Sequence, residues 1–340
     1  MCTSNFQPMK MKPVLVNPEF QDPILAVPIP QKSEMLLFDL GYCFRLKIRD
    51  IQKISKIFIT HTHIDHFAGF DHILRLSIDM KKTISIYGPP GFIGNVQGKL
   101  SGYYWNLKDS INLNYDVFEI HRDKMLRKRF RARDGYINDN LPEVIPWDIN
   151  DPIAETDDYS VYTVFLEHRM PVLGYKIKAD DSYNADKSAM DSMNLSPGKW
   201  VGELKKRLQN DLPDNDEIEI DGKKYNAGKL LKKLIKKSPG HVITYVVDTI
   251  FNKKTAGPLK NFVSGSDYFF CECAYLTSER ELARRNYHLT ARQAGTIAKE
   301  GEVKTLIPFH FSRRYEGKYH KLYEEVREVF PNVEKAKTYL

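Results

Sequence analysis

Short apolar runs alternate with longer amphipathic segments along most of the chain. The runs are five to seven residues long and are bounded by polar residues, glycine or proline, which is typical of buried strands. The amphipathic segments carry their apolar residues at helical spacing. Together these patterns predict an α/β protein with strands at 35–40, 56–60, 83–87, 161–166, 241–247, 268–272 and 304–308, and with helices at 67–76, 92–100, 278–285, 290–299 and 318–330.

One predicted strand is followed at once by four potential metal ligands. The apolar run 56–60 leads into the string His61-Thr62-His63-Ile64-Asp65-His66. His61 and His63 share one face because a strand has period 2, and Asp65 and His66 fall in the turn that follows. Burying several titratable groups together without a metal would cost each of them its hydration. Imidazole and carboxylate ligands indicate zinc, or manganese or iron, and the string could serve two adjacent ions.

This string resembles the signature motif of the metallo-β-lactamase superfamily. The resemblance implies a four-layer αβ/βα sandwich whose metals lie at strand ends between two sheets. The superfamily's other motifs have counterparts here in the same order along the chain. They are Leu37–Gly41, in which Asp39 supports the ligand loop without binding metal, and the ligand positions His168, Asp248 and His310.

Further segments resemble the ribonuclease Z (tRNA 3′ endonuclease) branch of that superfamily. The sequence also departs from the branch pattern in three places, which concern the substrate more than the metal chemistry. No glycine precedes Gly41, Cys271 replaces a histidine and Val247 replaces a glycine. The matching segments are His168–Tyr175, the glutamate Glu272, His288–Ala294 and Pro308–Tyr315.

The resemblance implies a metal-dependent phosphodiesterase or endoribonuclease. Its substrate would be a phosphodiester, such as the 3′ trailer of precursor tRNA, attacked by a water that two divalent ions activate. Zinc is the expected ion, with manganese and iron as alternatives. One ion would be held by His61, His63 and His168, the other by Asp65, His66 and His310, and Asp248 would bridge them.

The same resemblance assigns roles to four candidate catalytic residues. Asp65 would orient the attacking water or accept its proton. His288, held by Glu272, would protonate the leaving 3′ oxygen. Arg313 would balance charge on the phosphate through its guanidinium. For His288 the alternative interpretation is a surface histidine in front of a helix whose cap is Thr290.

Two other functions stay open at this point. One is a small-molecule phosphodiesterase or ester hydrolase of the same fold, acting on a substrate that resembles a cyclic nucleotide. The other is a non-catalytic nucleic-acid-binding protein that uses metal only structurally. A set of seven ligands around two ions argues against the last interpretation, because structural zinc sites are closed by four residues.

Composition and charge bound the domain organisation and the partner. The chain has 340 residues, 42% of them hydrophobic, which fits one metallo-β-lactamase-type domain over 1–340. Within it, 101–160 is interpreted as an insertion, and the resemblance implies a substrate-binding arm at 179–240. The net charge of +7 suits an acidic partner such as RNA.

Two basic segments stand out in the charge pattern. The run 121–133 holds seven Lys or Arg residues among thirteen, and RNA contact and a plain exposed strand or helix are both open. The lysines of 229–237 recur at helical spacing around leucines, which indicates the solvated face of an amphipathic helix.

The remaining features concern location and cysteine chemistry. No apolar run is long enough to cross a membrane and no signal-peptide pattern opens the chain, so a cytoplasmic protein is expected. The four cysteines do not form a disulfide framework. Cys271 and Cys273 flank Glu272 in a predicted strand and are expected to be buried thiols. The resemblance also implies a homodimer.

Overall fold

A computed structural model describes residues 11–29, 32–106, 108–209 and 216–339, so Cys2 lies outside the described residues. The described first half forms an eight-stranded sheet whose order follows the chain. Its strands are β1 (Val14–Leu15), β2 (Leu25–Ile29), β3 (Glu34–Phe38), β4 (Ile54–Phe58), β5 (Thr83–Gly88), β6 (Asn114–Ile120), β7 (Lys124–Arg131) and β8 (Glu143–Pro146). The helices of this half are α1 (Ile48–Ile51), α2 (Ile64–Phe67), α3 (Phe70–Ser77) and α4 (Phe92–Ser101).

The centre of this sheet is parallel and its flanks are antiparallel. Strands β3 to β6 run in one direction, whereas β1, β2, β7 and β8 extend the sheet through antiparallel pairs. Strands β6 to β8 come from the segment 101–160, whose interpretation as an insertion stays a prediction. Three more strands then begin a second sheet: β9 (Ala154–Glu155), β10 (Tyr159–Glu167) and β11 (Pro171–Ala179).

Residues 179–241 form a compact unit of their own. Its core consists of apolar side chains such as Leu204, Leu230 and Leu234, all buried. The interpretation of 179–240 as a substrate-binding arm stays a prediction. The described elements of the unit are β12 (Ser182–Ala185), α5 (Lys187–Ser192), α6 (Lys199–Gln209), β13 (Glu217–Ile220), β14 (Lys223–Asn226), α7 (Ala227–Leu234) and β15 (Ile235–Ser238).

The lysine-rich segment 229–237 is helical only in its first part. Helix α7 begins after Asn226, whose side chain accepts a hydrogen bond from the backbone N–H of Lys229, and ends at Leu234. The prediction of one helix to 237 is therefore wrong at its end. Strand β15 follows and pairs with β12, where Lys236 and Lys237 each contact an aspartate carboxylate. The helix ends where the backbone of β15 begins to pair with a strand distant in sequence, and the spacing of the lysines does not predict that pairing.

The chain then completes the second sheet. Its described order is β18-β17-β16-β11-β10-β9, and the last three strands along the chain run parallel to one another. The remaining elements are β16 (Val242–Val246), α8 (Ala256–Val263), β17 (Tyr268–Glu272), α9 (Arg280–Asn286), α10 (Ala291–Glu300), β18 (Thr305–Phe309) and α11 (His320–Val329).

The two sheets pack face to face through aromatic side chains. A row of rings on the first sheet includes Phe38 and Phe58, with centroids 5.0 Å apart, and Tyr87 lies 4.9 Å from Phe58. From the second sheet, Tyr175 and Tyr245 contact Phe38 at 5.8 and 6.0 Å. The outer face of each sheet is covered by its own helices through a separate apolar core. The predicted four-layer αβ/βα sandwich is confirmed.

The basic run 121–133 forms strand β7 at its centre. Arg127 and Arg129 both donate hydrogen bonds to the carboxylate of Asp116 on the neighbouring strand β6. Asp116 is buried, and its burial alone would raise its pKa, but Arg129 and Arg127 lower that pKa below the ordinary value. Two of the positive charges in the run therefore pair with Asp116 within the sheet. Arg131 and Arg133, near the end of the run, are exposed.

We expect Asp116→Asn to lower the free energy of unfolding by about 1–2 kcal/mol at pH 7, because two charged hydrogen bonds are weakened at a partly screened site. A carboxylate whose pKa is lowered by folding stabilises the protein above its ordinary value of 3.8 and loses that effect as pH falls further. Urea unfolding of both proteins at pH 7 and at acid pH checks this, and a difference that grows with acidity would contradict it.

The described cysteines are buried free thiols. Cys43, Cys271 and Cys273 lie in the core without disulfide partners, which confirms the expectation for the last two. Burial raises the pKa of Cys43 to about 12. Among the helices that the structure describes, none combines the length and apolar character that a membrane crossing requires.

Candidate metal centre

The predicted ligands meet at one edge of the sandwich. The carboxyl ends of the parallel strands in each sheet point to this edge, as is general where such sheets carry sites. Asp39 and His61 follow β3 and β4 of the first sheet, whereas Asp248 and His310 follow β16 and β18 of the second. Residues far apart along the chain are thereby brought within hydrogen-bonding distance, and Asp65 lies 3.4 Å from His310 across 245 positions.

Asp248 lies at the centre of the cluster. Its buried carboxylate is 3.3 Å from Nε2 of His61 and 3.2 Å from Nε2 of His66 through one oxygen. The other oxygen is 3.0 Å from Nδ1 of His310. His168 approaches the first oxygen at 3.9 Å. One carboxylate thus faces imidazoles from both sheets, as a bridging ligand would.

The possible ligand atoms fall into groups that share members. The atoms of each group lie within 4.8 Å of one another. In one of these groups, the ring centroid of His63 lies 4.5 Å from that of His61 and 5.2 Å from that of His168. The groups are His61, His63, His168 and Asp248; Asp65, His66 and His310; and Asp248, Glu272, His288 and His310.

A buried hydrogen-bond network around Asp39 orients His66. Asp39 accepts hydrogen bonds from the backbone and hydroxyl of Thr60, from Nδ1 of His66 and from the hydroxyl of Tyr245. Because His66 donates from Nδ1, its Nε2 keeps a lone pair for a ligand role. His168 is oriented in the same way by the carbonyl of Tyr287, 2.8 Å from Nδ1.

We expect Asp39→Asn to weaken metal binding by about 10- to 100-fold, because His66 loses the carboxylate that sets its orientation. The dissociation constant for zinc, measured by competition with a chromophoric chelator, is the appropriate quantity. The substitution conserves size, so an affinity equal to that of the unaltered chain would show that Asp39 has no part in orienting the ligands.

His288 and Glu272 form a hydrogen-bonded pair beside Asp248. Nδ1 of His288 is 2.7 Å from Oε2 of Glu272, and Oε1 of Glu272 accepts a hydrogen bond from the backbone N–H of Thr249. Glu272 is fully buried, whereas the His288 side chain is 18% exposed. Thr290 caps helix α10 just beyond, so the capping interpretation is correct for Thr290 while His288 itself faces the cluster.

Three residues of the cluster adopt left-handed backbone conformations. Asp39, Asp248 and His310 have φ of 61°, 51° and 55°. Each follows directly on or soon after a parallel strand, where the turn aims its side chain along the edge instead of across the sheet. Such conformations cost a non-glycine residue roughly 1–2 kcal/mol each, and strain of this kind concentrates at functional sites.

The charges of the cluster suit divalent cations. Burial by itself would raise the pKa of Asp248, but His310 and His66 lower it well below its usual range. Burial likewise disfavours the charged form of His310, yet the Asp248 carboxylate raises the pKa of His310 to about 10. Among the described residues, buried Nε2 atoms of His61 and His66 and Oδ1 of Asp248 have no aligned hydrogen-bond partner. Unpartnered nitrogen and oxygen atoms that converge are what a zinc-type ion requires.

A cleft of about 310 Å³ opens beside these residues. Its walls include Asp65, His288, His310 and, at the rim, Arg313. The Arg313 side chain is 84% exposed and lies 3.7 Å from Asp22. The structure therefore brings the seven predicted ligands, Glu272 and His288 together and leaves Arg313 at the edge of the cleft.

Several supporting residues escaped the sequence predictions. Thr60, Tyr245 and the carbonyl of Tyr287 orient the ligands, and Asp22 forms part of the cleft wall. The position of Tyr245 could have been predicted, because it lies three residues before Asp248 in a predicted strand and can point into the space between the sheets. No local pattern announces the backbone carbonyl of Tyr287.

The chain is similar to known proteins over most of its length. The chain is 26% identical over 297 residues to a ribonuclease Z of Deinococcus radiodurans, covering 87% of each chain. It is 27% identical over 320 residues to a ribonuclease Z of Treponema denticola, covering 91% of this chain and 88% of the relative. No protein-family model matches the chain.

Solved structures share the fold. The metallo-β-lactamase fold protein YhfI from Bacillus subtilis superposes with a TM-score of 0.58 at 15% identity, and human tRNase Z, short form, with 0.51 at 16%, each over 98% of both chains. The chain therefore has the metallo-β-lactamase fold. Its sequence relatives are named ribonuclease Z, so the predicted resemblance to the metallo-β-lactamase superfamily and its ribonuclease Z branch is confirmed.

Proposed function

We propose that the chain is a metal-dependent endoribonuclease of the ribonuclease Z type, which cleaves the phosphodiester joining a 3′ trailer to precursor tRNA. One observation carries the proposal: the Glu272–His288 pair forms one ligand group with Asp248 and His310, and Asp248 also belongs to the group of His61, His63 and His168. The relatives that cover about nine-tenths of the chain and bear the name ribonuclease Z support the choice of RNA.

The ligand set assigns positions for two ions. His61, His63 and His168 would hold one, Asp65, His66 and His310 the other, with Asp248 between them. Zinc is the proposed ion, because imidazoles outnumber carboxylates among these side chains. When bound, the ions supply positive charge for the phosphate and favour ionisation of the attacking water.

The protein's own residues handle the protons. Asp65 is 42% exposed and lies on the cleft wall, where its carboxylate can orient the water and accept a proton. His288 is fixed through Nδ1 by Glu272, which leaves Nε2 to donate a proton to the departing 3′ oxygen. Arg313, which lines the cleft, would contact a phosphate of the RNA.

Cleavage of a labelled precursor tRNA with a 3′ trailer tests the proposal. We expect zinc-loaded protein to cut on the 3′ side of the acceptor stem, and Asp65→Ala protein prepared in parallel to be inactive. The same preparations are assayed on bis-p-nitrophenyl phosphate. Hydrolysis of this small diester without any cleavage of the RNA would assign the chain to the small-molecule phosphodiesterases instead.

A further inference from the structure

Two exposed aromatic rings lie next to the cleft and have no part in the proposed chemistry. Tyr42 and Phe44 are 53% and 63% exposed, and their ring centroids are 4.6 Å apart. The ring of His72 lies 4.3 Å from that of Phe44. We call Tyr42, Phe44 and His72 the aromatic patch. Large apolar rings grouped at a surface are uncommon without a binding role.

The backbone holds the patch against the cleft wall. Nδ2 of Asn17 donates to the carbonyl of Tyr42 at 2.9 Å and to the carbonyl of Asp22 at 2.8 Å, and Asp22 lines the cleft. The loop also abuts the ligand turn, because a Cβ on Gly41 would lie 2.6 Å from the carbonyl oxygen of Asp65. The loop that carries the two rings therefore lies beside the cleft wall and the ligand turn.

The residue between the two rings directs them outward. Cys43 is buried, and its thiol donates to the carbonyl of Gly41 at 3.3 Å. It fills the space above Gly69, where an added Cβ would lie 2.2 Å from the sulfur. With Cys43 turned into the core, Tyr42 and Phe44 are left on the solvent side. The packing thus leaves both rings exposed on the loop beside Asp22 of the cleft wall.

We propose that the aromatic patch stacks unpaired bases of the RNA substrate next to the phosphodiester that is cleaved. This inference rests on the proposed endoribonuclease function. Aromatic faces bind bases without regard to sequence, and only bases free of a duplex can reach them. The charged cleft handles the backbone phosphate and the patch selects RNA that is single-stranded at this point.

Binding of labelled hairpin RNA with a single-stranded 3′ tail tests the inference. All proteins carry Asp65→Ala so that the RNA stays intact. The test variant is Tyr42→Leu with Phe44→Leu, which keeps apolar bulk, and its partner is Tyr42→Phe with Phe44→Tyr, which keeps the rings. Tyr104→Leu is the matched control, since Tyr104 is 91% exposed and no described ring contacts it.

We expect the dissociation constant of the leucine variant to rise on the order of tenfold, the loss typical of base–aromatic stacking. The ring-keeping variant and the control should bind as the parent does. Annealing a complementary strand to the tail should abolish the difference in affinity between the leucine variant and the parent. A 2-aminopurine base in the tail should lose fluorescence on binding the parent, because stacking quenches it, and keep it with the leucine variant.

Other outcomes overturn the inference in distinguishable ways. Equal affinities and equal quenching for all variants would remove the patch from RNA binding while the endoribonuclease proposal stands. A parent protein that binds no RNA would end both. If the leucine variant changes only the sedimentation behaviour, from dimer to monomer, the patch is a contact between two copies of the chain.

Discussion

Replacement of Asp248 by Ala is expected to release most of the bound metal and to slow phosphodiester hydrolysis by about 10²- to 10³-fold or more. The carboxylate lies 3.0–3.3 Å from three imidazoles, His61, His66 and His310, and belongs to two of the three ligand groups. Its removal therefore weakens both proposed ion positions at once. No neighbouring described carboxylate is placed to replace it between His61 and His66.

Metal content per chain after dialysis, measured by elemental analysis, is the first observable for Asp248→Ala. Hydrolysis of bis-p-nitrophenyl phosphate is the second. Asp116→Asn is the matched control, because it also alters a buried carboxylate but lies in strand β6, outside the ligand groups. Near two ions per chain in Asp248→Ala would show that this carboxylate is no ligand.

His288→Ala is expected to reduce RNA cleavage by about 10²- to 10⁴-fold, the usual contribution of a positioned proton donor. Its effect should depend on the leaving group. The 3′ oxygen of a nucleotide leaves poorly without a proton, whereas p-nitrophenolate is stable as an anion. The variant should therefore lose far less activity on bis-p-nitrophenyl phosphate than on precursor tRNA.

The comparison of the two substrates separates proton donation from a structural role. A variant that damages the site by misplacing Asp248, 3.5 Å from His288, would lose activity on both substrates alike. His320→Ala is the control, since His320 is exposed at the start of helix α11. Bound metal is counted for each protein, because equal metal content is required before the ratio is interpreted.

The clustering of the candidate ligands was predictable because four of them lie close together in the sequence. His61, His63, Asp65 and His66 fall within six positions, and His168, Asp248 and His310 each follow an apolar run that forms a strand. Strand ends in parallel sheets converge, so the runs themselves indicate where the side chains meet. The strand prediction over 268–272 matches β17 at both ends.

What escaped prediction depends on contacts between distant segments. The basic strand β7 is stabilised by Asp116 and by antiparallel neighbours, so its charge pattern alone left strand, helix and RNA contact open. The end of α7 at Leu234 is decided by pairing of β15 with β12. Tyr287 orients His168 with a backbone atom, which every residue possesses, so no residue type marks it.

The division of ligands between the two sheets links metal affinity to the packing of the sandwich. His61, His63, Asp65 and His66 follow a strand of the first sheet, and His168, Asp248 and His310 follow strands of the second. Ions bound between the two sets of ligands would link the two sheets, so tighter metal binding would increase the free energy of unfolding. During synthesis the last of the seven proposed ligands becomes available only when residue 310 has emerged, whereas the first four have emerged by residue 66. Binding of the ions would then come late in folding.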